Sequence, residues 1–191
     1  MASEDTFAKL VSLAVHDLRT PLATVSGFAR TLQRKDLGDP TNQYVRMMVT
    51  ATGQLADLLD DVGLAARIES GRWEPNLQDA DLLELAREAA ALVEGASAEG
   101  EGGSVRVDRE AVTAALRQLA SCALRHGGLD EITIAVSGAE AAIVPVTEGA
   151  APILMLEQMR DLGAAIAVRI VSALGGSVEL DSERLVVRLP A

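Results

Sequence analysis

The sequence predicts an α+β protein, in which an N-terminal helical hairpin forms a dimeric four-helix bundle and a small α/β sandwich follows. Three observations carry that expectation. Apolar residues recur at alternating three- and four-residue steps from Phe7 to Ala66. Beyond Trp73 this pattern gives way to short helical and strand-like runs separated by glycine. Hydrophobic residues make up 49% of the chain but aromatic ones only 2%, so the core must be built from Leu, Val, Ile and Ala.

The first stripe runs through Phe7, Leu10, Ala14, Leu18, Pro21, Val25, Phe28 and Leu32. "KDLGDPTN", from Lys35, reads as a turn. A second stripe follows at Val45, Met48, Thr52, Leu55, Leu59, Val62 and Ala66, and Gly71 and Pro75 end its helix. Two such helices alone bury too little surface, so the economical arrangement pairs two hairpins, and a homodimer is expected. "DADLLELAREAAALVE" reads as an amphipathic helix capped by Asp79 or Asp81, and "GASAEGEGGS" as a flexible loop. "SVRV" is a short strand, and Asp108 caps the helix "DREAVTAALRQLASCALRH". "EITIAVS" and "AAIVPVT" form one hairpin, and "GGSVELDSERLVVRLPA" a terminal one. Between them "PILMLEQMRDLGAAIAVRIVSAL" is mostly helical, with Gly163 as a point of breakage or initiation. The expected domains are residues 1–74 and 75–191.

Residues 1–75 carry 8 Lys/Arg against 10 Asp/Glu, and residues 76–191 carry 9 against 18, within a net charge of −11. An acidic surface repels phosphate backbones, which argues against nucleic acid as a partner. No apolar run is long enough for a bilayer and no signal segment opens the chain, so a cytoplasmic protein without membrane insertion is expected. A single cysteine, Cys122, excludes an internal disulfide; two histidines, His16 and His126, are too few for an ordinary zinc constellation. No metal ligand set is expected. Cys122 reads as a small buried hydrophobe, His126 as a helix-end residue suited to the C-terminal dipole, and Arg67 and Glu69 as solvated.

The stretch "AVHDLRTPLATVSGF" places polar chemistry inside an apolar helical pattern. His16 falls off the apolar stripe, with Arg19 and Thr20 three and four residues on, sharing its face. Pro21 cannot donate to the carbonyl of Asp17, a loss of about 3 kcal/mol in an ordinary helix interior. A lone surface histidine beside a packing kink is the plain alternative. An imidazole attacks phosphorus when one ring nitrogen is unprotonated and the other is held as N–H. Asp17 can accept that proton, and Thr20 can orient a water.

"FAKLVSLAVHDLRTPLATVSGFARTL" resembles the phosphoacceptor motif of bacterial sensor histidine kinases, and "DLLDDVGLAARIESGRWEP" is similar to the end of the second helix of their dimerisation domain. The resemblance implies that His16 is the phosphorylated residue, Asp17 its acid/base helper, and Thr20 the position used in response-regulator dephosphorylation, with Arg19 between them in the motif. Residues 77–191 resemble the family's ATP-binding domain in a degenerate form. Gln118 and Cys122 stand where the family carries asparagines, the second of which holds Mg²⁺. In "VTEGAAP", Thr147 or, one residue on, Glu148 replaces the adenine-binding aspartate, Gly149 survives, and Ala151 replaces a glycine. The second glycine box keeps Gly163, with Asp161 facing polyphosphate as a like charge. Too few residues separate Pro152 from Asp161 for a nucleotide lid, and the region holds no lysine.

These losses imply no intrinsic cofactor and no ATP-dependent autophosphorylation. The expected function is histidine phosphotransfer between receiver-domain aspartates through His16, with Mg²⁺ supplied on the receiver of a response regulator. Three alternatives stay open: a response-regulator phosphatase, a non-catalytic pseudokinase that binds a regulator or kinase, and a divergent active kinase.

Overall fold

The computed structural model describes residues 2–35 and 37–190, apart from the side chains of 2–10, 12–14 and 17. The chain divides into two units, Met1–Trp73 and Glu74–Ala191.

In the first unit the two apolar stripes form α1 (Ala2–Gln33) and α2 (Thr41–Glu69), which pack on each other. Pro21 lies inside α1, and the helix continues beyond it. Among the described residues, the buried positions are Val15 and Ala29 of α1 and Val45, Thr52, Gly63 and Ala66 of α2. The seam is therefore lined with small and β-branched residues, which let two helices approach closely. The larger apolar residues of the α1 stripe point elsewhere: Val25 is 52% exposed and Phe28 69%, with Leu18 and Leu32 also exposed.

Gly71, at φ +64°, ends α2 in the left-handed conformation that glycine adopts without a Cβ penalty. The Gly71 amide donates to the Ile68 carbonyl and the Arg72 amide to the Arg67 carbonyl at 2.9 Å, folding the chain back over the last turn.

The second unit is a five-stranded sheet with helices, plus a two-stranded ribbon. The ribbon pairs β1 (Leu77–Asp81) antiparallel with β3 (Ser104–Asp108). The sheet has the order β2-β4-β5-β7-β6, from β2 (Ala96–Gly102), β4 (Ile132–Gly138), β5 (Glu140–Val144), β6 (Ser177–Asp181) and β7 (Arg184–Arg188). Only β2 and β4 run parallel; the remaining neighbours are antiparallel, β4–β5 and β6–β7 as hairpins and β5–β7 across the intervening helices. Helix α4 (Arg109–Gly127) packs between α3 (Leu82–Ala90) and α6 (Leu162–Ala173). The core joins Leu85, Leu116, Leu119, Ile166 and Ile170 of the helices to Ile134, Ile143 and Leu185 of the sheet, all essentially inaccessible. Alanines on the buried face of α4 (Ala115, Ala120, Ala123) and of α6 (Ala164, Ala165, Ala167) accompany that packing.

Caps set the helix starts. Asp81 accepts from the amides of Leu83 and Glu84, and Asp108 from that of Ala111, each satisfying donors at a helix N-terminus. The mostly helical stretch expected from Pro152 is α5 (Ala151–Leu154), an irregular stretch with Leu156 at φ +60°, and then α6, which starts at Leu162 beside the Gly163 that the sequence marked. "GASAEGEGGS" is a strand, not a flexible loop. Its glycines permit close pairing: a Cβ on Gly100 would run into the Val136 carbonyl, and one on Gly102 into the Asp81 carboxylate.

Candidate functional site

His16 lies on α1 with an exposed side chain, and Arg19 and Thr20 are exposed beside it. The Asp17 side chain lies outside the described residues. Val15, the residue before His16, is buried against α2, where Gly63 makes room: a Cβ there would come 3.3 Å from Val15 Cγ1. This close approach fixes the height of His16 along the hairpin.

A cleft of about 210 Å³ opens at that height, lined by Val15, His16, Arg19, Gly63, Arg67 and Arg72. Three guanidiniums therefore surround one imidazole. Arg19 forms an ion pair with Asp60 of α2. Arg72 reaches the cleft because the chain folds back after Gly71, and its Nε donates to Ser70 Oγ at 2.9 Å. Arg67, exposed on the last turn of α2, lines the cleft and has no ion-pair partner among the described residues. On the neighbouring side, His16, Arg19, Thr20, Ala23 and Thr24 line an open concave surface. Chemically, this is an accessible nucleophile bordered by donors suited to phosphoryl oxygens, since guanidinium binds such oxygens in a planar fork. Sequence reasoning reached His16, Arg19 and Thr20, but treated Arg67 as solvated and did not weigh Arg72.

In the second unit, the fold brings together the positions that the resemblance marks as altered. Gln118 and Cys122 lie on α4, Asp161 and Gly163 at the start of α6, and Thr147 and Gly149 in the loop after β5. Asp161 is the centre of this cluster. Its Oδ1 accepts from the Ala164 amide at 3.0 Å, capping α6. Its Oδ2 lies 3.0 Å from Arg125 Nη1 and 3.0 Å from His126 Nε2. The side chain is only 5% exposed. The carboxylate expected to face polyphosphate as a like charge is already paired: Asp161 is satisfied by its own chain and occupies the anion position at a helix N-terminus.

Cys122 is buried next to it. Burial first, then the negative charge of Asp161 and a hydrogen bond to it, push the thiol up to about 12, against a smaller opposing pull from Arg125. Gln118 fills the space over Gly163, where a Cβ would collide with its side-chain amide. Thr147 Oγ1 donates weakly to the Gly127 carbonyl at 3.4 Å. His126 is more than the dipole-matched helix end that the sequence suggested; it is bound into this cluster through Asp161.

The His Kinase A (phospho-acceptor) domain family matches residues 8–71. Sensor histidine kinase AruS of Pseudomonas aeruginosa is 24% identical over 223 residues, covering 95% of this chain and 22% of its own length. Sensor protein DivL of Caulobacter vibrioides is 28% identical over 196 residues, covering 88% of this chain and 25% of its own. Residues 8–71 are thus a His Kinase A phospho-acceptor domain, and the chain as a whole resembles sensor histidine kinases. Full-length ShkA, solved in complex with AMPPNP, shares its fold with a TM-score of 0.72 at 22% identity, covering 95% of this chain and 45% of that one. The likeness extends to the order of the two units, a phosphoacceptor hairpin followed by a domain of the ATP-binding fold. The chain spans about a quarter of the length of these two curated relatives. Among the described residues, no helix is long and apolar enough to cross a membrane.

Proposed function

We propose that this chain acts as a histidine phosphotransfer protein, exchanging a phosphoryl group between His16 and receiver aspartates without an ATP-dependent step of its own. The observation that carries this reading is an exposed imidazole beside an arginine-lined cleft on the hairpin. A ring nitrogen of His16 forms the N–P bond as the P–O bond of the receiver's acyl phosphate breaks, and the aspartate leaves as a carboxylate. The proton of the attacking imidazole passes to a nearby base, for which Asp17 is the candidate. Arg67, with Arg19 and Arg72, would hold the charge spread over the transferring oxygens. Mg²⁺ would arrive on the receiver.

The residues of the second unit do not fit magnesium and ATP. Cys122 offers a protonated, buried thiol where a hard cation prefers oxygen, and Asp161 holds the anion position that phosphate would need. The exposed Val25, Phe28 and Leu55 support pairing of two hairpins as a homodimer.

The test is incubation with a phosphorylated receiver. Acid-labile label on the chain, lost in His16→Gln, supports transfer. Release of free phosphate that depends on Thr20, with no labelled chain, replaces the reading with a phosphatase. Binding of the receiver with neither outcome leaves an adaptor.

A further inference from the structure

The cluster around Asp161 has a geometry that its ion pairs do not require. Cys122 and His126 stand four residues apart on α4, which puts both on one helix face, a spacing that suits two ligands of one metal ion. Asp161 approaches from the N-terminus of α6. One ligand atom from each residue lies within 4.8 Å of the others. The separation of 3.0 Å between His126 Nε2 and Asp161 Oδ2 is close to the edge of about 3.3 Å that two ligands at about 2.0–2.1 Å make around tetrahedral zinc. Shifts of at most about 1.2 Å would bring the sulfur from within 4.8 Å to its own edge of about 3.6 Å, given a Zn–S bond of about 2.3 Å.

We propose that Cys122, His126 and Asp161 form a binding site for a borderline-soft divalent transition metal, Zn²⁺ in the first place. Sulfur, imidazole and one carboxylate select zinc over magnesium, which demands octahedral oxygen. Three protein ligands leave a fourth position for water, reached from the side on which His126 is partly exposed. On binding, the S–Zn bond forms as the thiol proton leaves to solvent. Asp161 keeps its orientation through the Ala164 amide, a contact to the oxygen that does not face the metal. Arg125 is the competitor: its guanidinium shares Asp161 Oδ2, but its side chain is 64% exposed and free to swing outward. The sequence reading found too few histidines for a zinc site. The third ligand comes from another helix, which only the fold reveals. The inference goes beyond phosphotransfer and does not depend on His16.

The test uses the full chain, stripped with a chelator and titrated with Zn²⁺ against a chromophoric competitor. One zinc per chain is expected, with affinity lowered more than about tenfold in Cys122→Ser and in His126→Gln. His16→Gln should leave it unchanged, and Arg125→Ala should raise it. Substitution by Co²⁺ should give a thiolate-to-cobalt charge-transfer band that Cys122→Ser abolishes. Circular dichroism checks that each variant is folded; the half-buried His126→Gln serves if Cys122→Ser is not. No zinc uptake, or uptake equal in wild type and a folded ligand variant, overturns the proposal.

Discussion

A carboxylate at a helix N-terminus can cap the helix itself or yield the place to an anion from outside, and Asp161 does the first. The same logic of charge governs the first unit, where Arg67 is left facing the cleft beside His16. A guanidinium–phosphate contact contributes about 1.5–3 kcal/mol. Arg67→Ala is therefore expected to lower the rate of transfer to His16 by about 10- to 100-fold while leaving hairpin helicity unchanged, as read by labelled-receiver kinetics alongside circular dichroism. An unchanged rate would remove Arg67 from the site. His16, Arg19 and Thr20 were legible because they sit within one turn of each other in the chain. Arg67 and Arg72 were not, because their meeting with His16 needs the Gly63 crossing and the fold-back after Gly71, both tertiary events.

At the scale of elements, β2 is the instructive case. Composition reads "GASAEGEGGS" as loop, because glycine is normally unfavourable in a strand. Here Gly100, at φ +118°, lies where a Cβ would strike the Val136 carbonyl, so the pairing of β2 with β4 depends on that glycine. Gly100→Ala is expected to destabilise the second unit by more than about 2 kcal/mol, through both the left-handed backbone and the backbone clash. Denaturant unfolding of the full chain measures it; a loss under about 0.5 kcal/mol would contradict the account of β2. The helices were easier to read than this strand, since α1, α2, α3 and α4 announce themselves by period or by an aspartate cap. The break between α5 and α6 was less legible: Gly163 marked it, but the cap that starts α6 is Asp161, which the sequence placed as a like charge facing polyphosphate.

For the whole molecule, the hairpin and the second unit solve the burial problem differently. The second unit closes its own core around Leu116, Ile134, Ile143 and Leu185. The hairpin leaves Val25, Phe28, Leu32 and Leu55 in solvent, more apolar surface than one pair of helices can cover. Phe28→Glu is expected to convert a dimer to a monomer in light scattering, with the second unit still folded; a wild-type monomer at micromolar concentration would remove the bundle from the account. The central claim joins the two units: His16 receives a phosphoryl group that the second unit does not obtain from a nucleotide. The most direct measurement offers two labelled donors side by side, ATP with Mg²⁺ and a phosphorylated receiver domain. The account predicts acid-labile label at His16 from the receiver and none from ATP. Label at His16 from ATP would contradict it.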